Sequence, residues 1–249
     1  MRYWAAALLL VLASCSARTG ASPVPLDPPA TVLASWKPNL HLADTALAGG
    51  APTIALQVCD ELLAMDPRNT GALVRRGEAL SDLGRSSEAK ASFTMAIDAD
   101  PENLRALDGL GRLRLADDPA AAEALFARAM TRDPNDVIAL SDLGVARDMQ
   151  GHHAAAQQAY RMALNAAPAS VAVQVNLGLS LALSGDATGA IKLLQPLAAA
   201  SNAAPRVRQN LALALALSGR KNEALNVLGR DLTPDQAQGA LDGFEALRP

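Results

Sequence analysis

The chain has 249 residues, 22 Lys and Arg against 25 Asp and Glu, and only 3% aromatic residues. A net charge of −3 with so few rings excludes a nucleic-acid binder, which needs a basic footprint and stacking platforms. Half of the residues are hydrophobic, mostly Ala and Leu, so the chain is not wholly disordered and an all-helical protein is expected.

Residues 1–14 carry Arg2, then the apolar run Trp4 to Ala13. That run is too short to span a bilayer, which takes roughly 20 residues, and has the form of an export signal. Leu12-Ala13-Ser14-Cys15 resembles the lipobox of bacterial lipoproteins. The resemblance implies acylation of Cys15, cleavage just before it, and attachment to a membrane through the lipid. Ser16 in place of Asp points to the outer membrane. Residues 15–35 hold Pro23, Pro25, Pro28 and Pro29 and read as a tether, because dense prolines break helices and favour extended chain. With Cys15 lipidated, Cys59 has no partner for a disulfide, and its helical spacing with Ile54, Val58 and Leu62 marks a core residue.

From residue 36 to 232 the chain is self-similar. Gly77, Gly111, Gly144, Gly178 and Ala212 recur every 33 or 34 residues. So do Ala89, Ala122, Ala156, Ala190 and Ala224, each followed four residues later by Phe93, Phe126, Tyr160, Leu194 or Leu228. Pro67, Pro101, Pro134 and Pro168 close units. The clear units are 70–103, 104–136, 137–170, 171–204 and 205–232, with a weaker one at about 36–69. This pattern resembles the tetratricopeptide (TPR) repeat. It implies an all-α, right-handed TPR solenoid of about five to six helix-turn-helix repeats. Small residues sit where two helices cross, and Gly84, Gly151, Gly185 and Gly219 end first helices, where a left-handed residue is commonly needed. In unit 104–136, Asp117-Asp118-Pro119 replaces that glycine. Residues 233–249 read as a C-terminal capping helix. Thr233, Pro234 and Gln236 form a capping box, and Leu241, Phe244 and Leu247 an apolar stripe.

Residues that carry chemistry are scarce. His152 and His153 are adjacent, lack an acidic or Cys partner at ligand spacing, and read as exposed turn residues. Gly109-Leu-Gly111 follows no strand and is not a dinucleotide fingerprint. There is no Walker loop and no nucleophile elbow. The expectation is a non-enzyme without metal, cofactor or small-molecule substrate. A metal-dependent hydrolase built on the two histidines is the contrasting reading.

In TPR proteins the first helices line a concave groove, so the resemblance nominates groove residues. The amino-terminal half offers Arg75, Arg105 and Arg112, a cluster suited to a carboxylate. The carboxy-terminal half offers Val175, Leu179, Leu183, Leu213 and Leu217 as an exposed apolar strip, with Asn176 and Asn210 able to hold an extended peptide backbone.

The run from Val207 to Arg220, then Glu223-Ala224 and Arg230-Asp231-Leu232-Thr233-Pro234, is similar to TadD-type lipoproteins of tight-adherence (Flp) pilus systems. The likeness covers almost the whole chain and departs from the family at Gln238 to Phe244. It implies a lipid-anchored scaffold at the periplasmic face of the outer membrane. There it would bind a protein or extended peptide of the pilus secretion system, such as its secretin. A general periplasmic adaptor that gathers cell-wall enzymes is the rival expectation.

Overall fold

The computed structural model describes residues 38–247. The signal at 1–14 and the whole of the lipidated Cys15 and tether at 15–35 that the sequence suggests lie outside them, as do Arg248 and Pro249. Among the described residues there are thirteen α-helices and no strand. They divide after Asp133 into two compact units.

The unit ending at Asp133 consists of three helical hairpins. These are α1 (Leu40–Ala48) with α2 (Pro52–Met65), α3 (Thr70–Asp82) with α4 (Ser86–Ala99), and α5 (Leu104–Arg114) with α6 (Pro119–Arg132). The unit beginning at Pro134 holds α7 (Val137–Met149) with α8 (His153–Ala166), α9 (Val171–Leu183) with α10 (Ala187–Ala199), and α11 (Pro205–Leu217) with α12 (Lys221–Leu228). The helix α13 (Pro234–Glu245) follows.

Local sequence sets the helix ends. Each Pro of the closing Asp-Pro or Ala-Pro step lies just beyond a second helix, where its missing N–H breaks no ladder. Two residues after Pro67 and Pro101 comes Asn69 or Asn103. Their side chains accept from Ala72 N at 3.0 Å and Ala106 N at 3.1 Å, starting the next first helix. First helices end in a left-handed glycine. Gly84 has φ of 72°, and Arg85 N then reaches back to Leu80 O at 2.8 Å, which satisfies a carbonyl of the last turn. The Asp117-Asp118-Pro119 turn does without such a glycine. Asp118 caps α6 by accepting from Ala121 N at 3.0 Å, and Pro119 takes its first position.

The crossing inside each hairpin explains the small residues. A Cβ added at Gly77 would lie 2.7 Å from the Phe93 ring, at Gly111 2.6 Å from Phe126, at Gly144 2.4 Å from Tyr160, and at Gly178 2.6 Å from Leu194. Each of those bulky side chains is buried, and Ala89, Ala122, Ala156, Ala190 and Ala224 are sealed beside them. Gly109 grips Phe93 from the following hairpin, where a Cβ would approach the ring to 2.4 Å. The glycine pair of residues 109 and 111 therefore serves two aromatic rings.

Cys59 is fully buried in a small cluster with Ala43 and Val58, and burial pushes its thiol up to about 11. At neutral pH it is a thiol, not a nucleophile. The capping box of α13 is present: Thr233 Oγ1 accepts from Gln236 N at 3.4 Å, and Gln236 Oε1 accepts from Thr233 N at 3.1 Å. Ala237 and Leu241 join the core cluster of α9–α12, with Phe244 packed on its edge. Helix α13 runs unbroken through Gly239 and Gly243, where the space around each Cα is open.

Among the described residues, no helix is long and apolar enough to cross a membrane.

Candidate functional site

In the unit ending at Asp133, the first helices carry ion pairs rather than an open arginine cluster. Arg75 donates to both oxygens of Asp44, at 2.7 and 2.6 Å, and to Gly71 O at 3.1 Å. Arg105 donates to both oxygens of Glu78, at 3.0 and 2.6 Å, and stands 3.7 Å from Asp44. Arg112 is exposed on the same helix as Arg105. The expectation of a ready carboxylate receptor at Arg75 and Arg105 is thereby corrected. Their forks are already filled by acids one repeat away. The Arg75 guanidinium holds the Asp44 carboxyl below its ordinary range. Asp44 sits in the weakest repeat of the sequence, which is why the pairing was not evident from spacing.

In the unit beginning at Pro134, successive first helices α7, α9 and α11 touch directly. A polar row crosses them. Asn176 Nδ2 donates to Ser141 Oγ at 3.2 Å, and Arg206 donates to Asn176 Oδ1. One turn further along α11, Asn210 is 1% exposed, and neither its amide nitrogen nor its amide oxygen has a hydrogen-bond partner among the described residues. The apolar residues of this face are less open than predicted. Val175, Leu179 and Leu213 are 4%, 4% and 2% exposed, while Leu183 and Leu217 are half-buried. The expected exposed strip is thus corrected to a closed one, with Val175 incorporated in the core cluster that runs to α13.

A second polar node lies between hairpins of the same unit. Asp148, at the end of α7, accepts from Ser180 Oγ at 2.7 Å, from Tyr160 Oη at 3.0 Å and from His153 Nδ1 at 2.8 Å. One buried carboxylate therefore ties α7, α8 and α9. Burial, and then the Asp148 charge, raise the Tyr160 hydroxyl well above the ordinary tyrosine value. His153 is correspondingly not an exposed turn residue: it opens α8 with its ring turned to Asp148, and only His152 is exposed. Sequence spacing gave no hint of the node, because Asp148 and His153 flank the Gly151 turn and meet only when it closes. Among the described residues, no group of three or more His, Cys, Asp or Glu is placed to hold a metal ion.

Two of the segments that carry the pilus-lipoprotein likeness meet in space. Arg208 Nε and Nη2 donate to the two oxygens of Asp231 at 2.6 Å each, and Nη1 donates to Ala203 O at 2.7 Å. The Arg208 guanidinium holds Asp231 below the usual carboxylate range. This pair joins α11 to the step that leads into α13.

Hairpins of this build, stacked by small-residue crossings and closed by a cap, define an α-helical repeat scaffold. More than half of the chain, residues 74–137, 109–171 and 142–205, matches the tetratricopeptide repeat family, and the chain belongs to it. Among solved structures it is similar to PilF of Pseudomonas aeruginosa (17% identity, 83% of this chain and 95% of that one, TM-score 0.67). It is also similar to PilW, a widely conserved type IV pilus biogenesis factor (21% identity, 83% and 89%, TM-score 0.61). Among curated proteins, FK506-binding protein-like of Homo sapiens is 36% identical over 91 residues, which cover 36% of this chain and 25% of that protein. The chain therefore spans about a quarter of the length of the curated relatives it matches.

Proposed function

We propose that this TPR scaffold is a lipoprotein of tight-adherence (Flp) pilus assembly, of the TadD type, acylated at Cys15 and facing the periplasm from the outer membrane. Its task is to hold an extended segment of a secretion-system subunit, the secretin foremost, along the α9–α11 face. The lipobox-like Leu12 to Cys15, the Val207–Arg220 run and the Arg230–Pro234 step support this reading. So does a fold shared with a pilus biogenesis factor. A membrane anchor raises the scaffold's effective concentration beside a membrane-embedded partner.

The observation that carries the binding face is the unpaired amide of Asn210. A buried donor and acceptor left without partners cost about 1–3 kcal/mol. An extended peptide brings one N–H and one C=O per residue and satisfies both. The side chains closing over the row must part to admit it. The row that begins at Ser141 and Asn176 would continue the same backbone one repeat away.

Asn210→Leu tests the face without endangering the fold, since it removes an unsatisfied amide. Capture of secretion-system subunits on the tagged variant is expected to fall at least tenfold, with thermal stability equal or higher. Undiminished capture would remove Asn210 from the binding face. Recovery of murein hydrolases with no pilus protein would favour the cell-wall adaptor instead.

A further inference from the structure

A cavity of about 280 Å³ opens between α10, α11 and α12, away from the Asn176–Asn210 row. Ala198, Leu211 and Leu215 are buried in it and Val227 is half-buried, so its floor is aliphatic. Charged side chains stand exposed around its mouth: Arg220, Arg230 and Glu223. The volume lies just under the ~300 Å³ at which pockets for drug-sized ligands begin, so it admits a side chain rather than a cofactor.

The rim charges differ in availability. Arg208 lines the cavity but has spent its fork on Asp231 and Ala203. Arg220 donates Nε and Nη2 to the two oxygens of Glu223, at 2.7 and 2.6 Å, so its fork is occupied, but by an exposed neighbour three residues away with which an incoming carboxylate competes in water. Arg230 has no ion pair among the described residues. Arg230 is therefore open to a carboxylate above the aliphatic floor, and Arg220 joins it where the incoming acid takes the place of Glu223.

We propose that this cavity is a docking site for a short acidic segment of a partner protein, with one leucine-sized anchor on the floor and carboxylates on Arg220 and Arg230. The aliphatic floor argues against a simple anion, which would leave it unfilled. Glu223 and Asp231 beside the mouth, on a chain of net charge −3, argue against a polyanion such as nucleic acid. The site is independent of the groove reading, since it uses the other side of α11 and none of the same residues.

The test is a titration of the full chain, followed through its arginine Nε–Hε resonances, with the capped peptide acetyl-Gly-Leu-Glu-Glu-amide. Saturable shifts are expected at Arg220 and Arg230. The Gln-Gln counterpart should bind at least about fivefold more weakly, as should Arg230→Gln with the acidic peptide. Ala199→Trp, on an exposed wall position, should fill the cavity and abolish the shifts with helicity intact; Gln195→Trp serves the same purpose if that variant is poorly folded. Equal binding of the Gln-Gln peptide, unchanged binding to both filled variants, or full displacement of the peptide by equimolar inorganic phosphate would each overturn the proposal.

Discussion

Tyr160 and Asp148 show how much one side chain can settle. Three donors from two neighbouring helices converge on the Asp148 carboxylate of a third, in a setting where an unmet polar group is expensive. Tyr160 enters the core because its hydroxyl has that acceptor, where Phe93 and Phe126 need none. Its ionisation is opposed by burial and by the neighbouring charge. A folded value raised above the unfolded one, about 10, gives a stabilising contribution that is complete below pH ~10 and is lost as pH rises through the folded value. Alkaline titration at 295 nm should therefore show Tyr160 ionising only together with loss of helix, as judged against Tyr160→Phe. Asp148→Ala should cost about 3 kcal/mol or more in urea unfolding, since it strands a hydroxyl, a phenol and an imidazole at once.

Helices in this protein are positioned by what they omit as much as by what they present. Gly144→Ala would press a methyl onto the Tyr160 ring, which Asp148 prevents from retreating, and a loss of about 2–3 kcal/mol is expected. Gly239→Ala makes the opposite case. Nothing lies within 4 Å of the added methyl, so α13 should gain up to ~1 kcal/mol from helix propensity. Thr233→Ala should take back about 1 kcal/mol by removing one half of the capping box. Calorimetry on the three variants checks all of these. Such features were readable beforehand because they are local. Period, cap and glycine turn are written within a few residues of where they act. The Arg75–Asp44 and Asp148–Ser180 contacts were not readable. Each joins residues about one repeat apart, and a helical face shows the residue but not its facing neighbour. The closing of Leu179 and Leu213 escaped for the same reason: exposure belongs to the packed array, not to the unit.

Across the whole molecule, charge supplies fastening more than attraction. Asp44 in α1 and Asp231 in the step before α13 are held below their ordinary range by arginines of α3 and α11. Groups with lowered folded values stabilise above the unfolded carboxylate value, about 3.9, and lose that contribution as pH falls through the lower folded one. The midpoint of thermal unfolding should accordingly drop as pH falls below ~5, and Asp231→Asn should flatten part of that drop. A variant whose acid profile matches the parent's would show the Arg208–Asp231 bond to be dispensable. Phe93 has a different consequence. Its ring is clasped by Gly77 of its own hairpin and Gly109 of the next, so neither hairpin owns a finished interior. A polypeptide severed between α4 and α5 would bare an aromatic face on the upstream piece, and that stump should self-associate rather than persist as a monomer. Shortening this array by whole periods is therefore an operation on seams, and each new end would require a lid of its own.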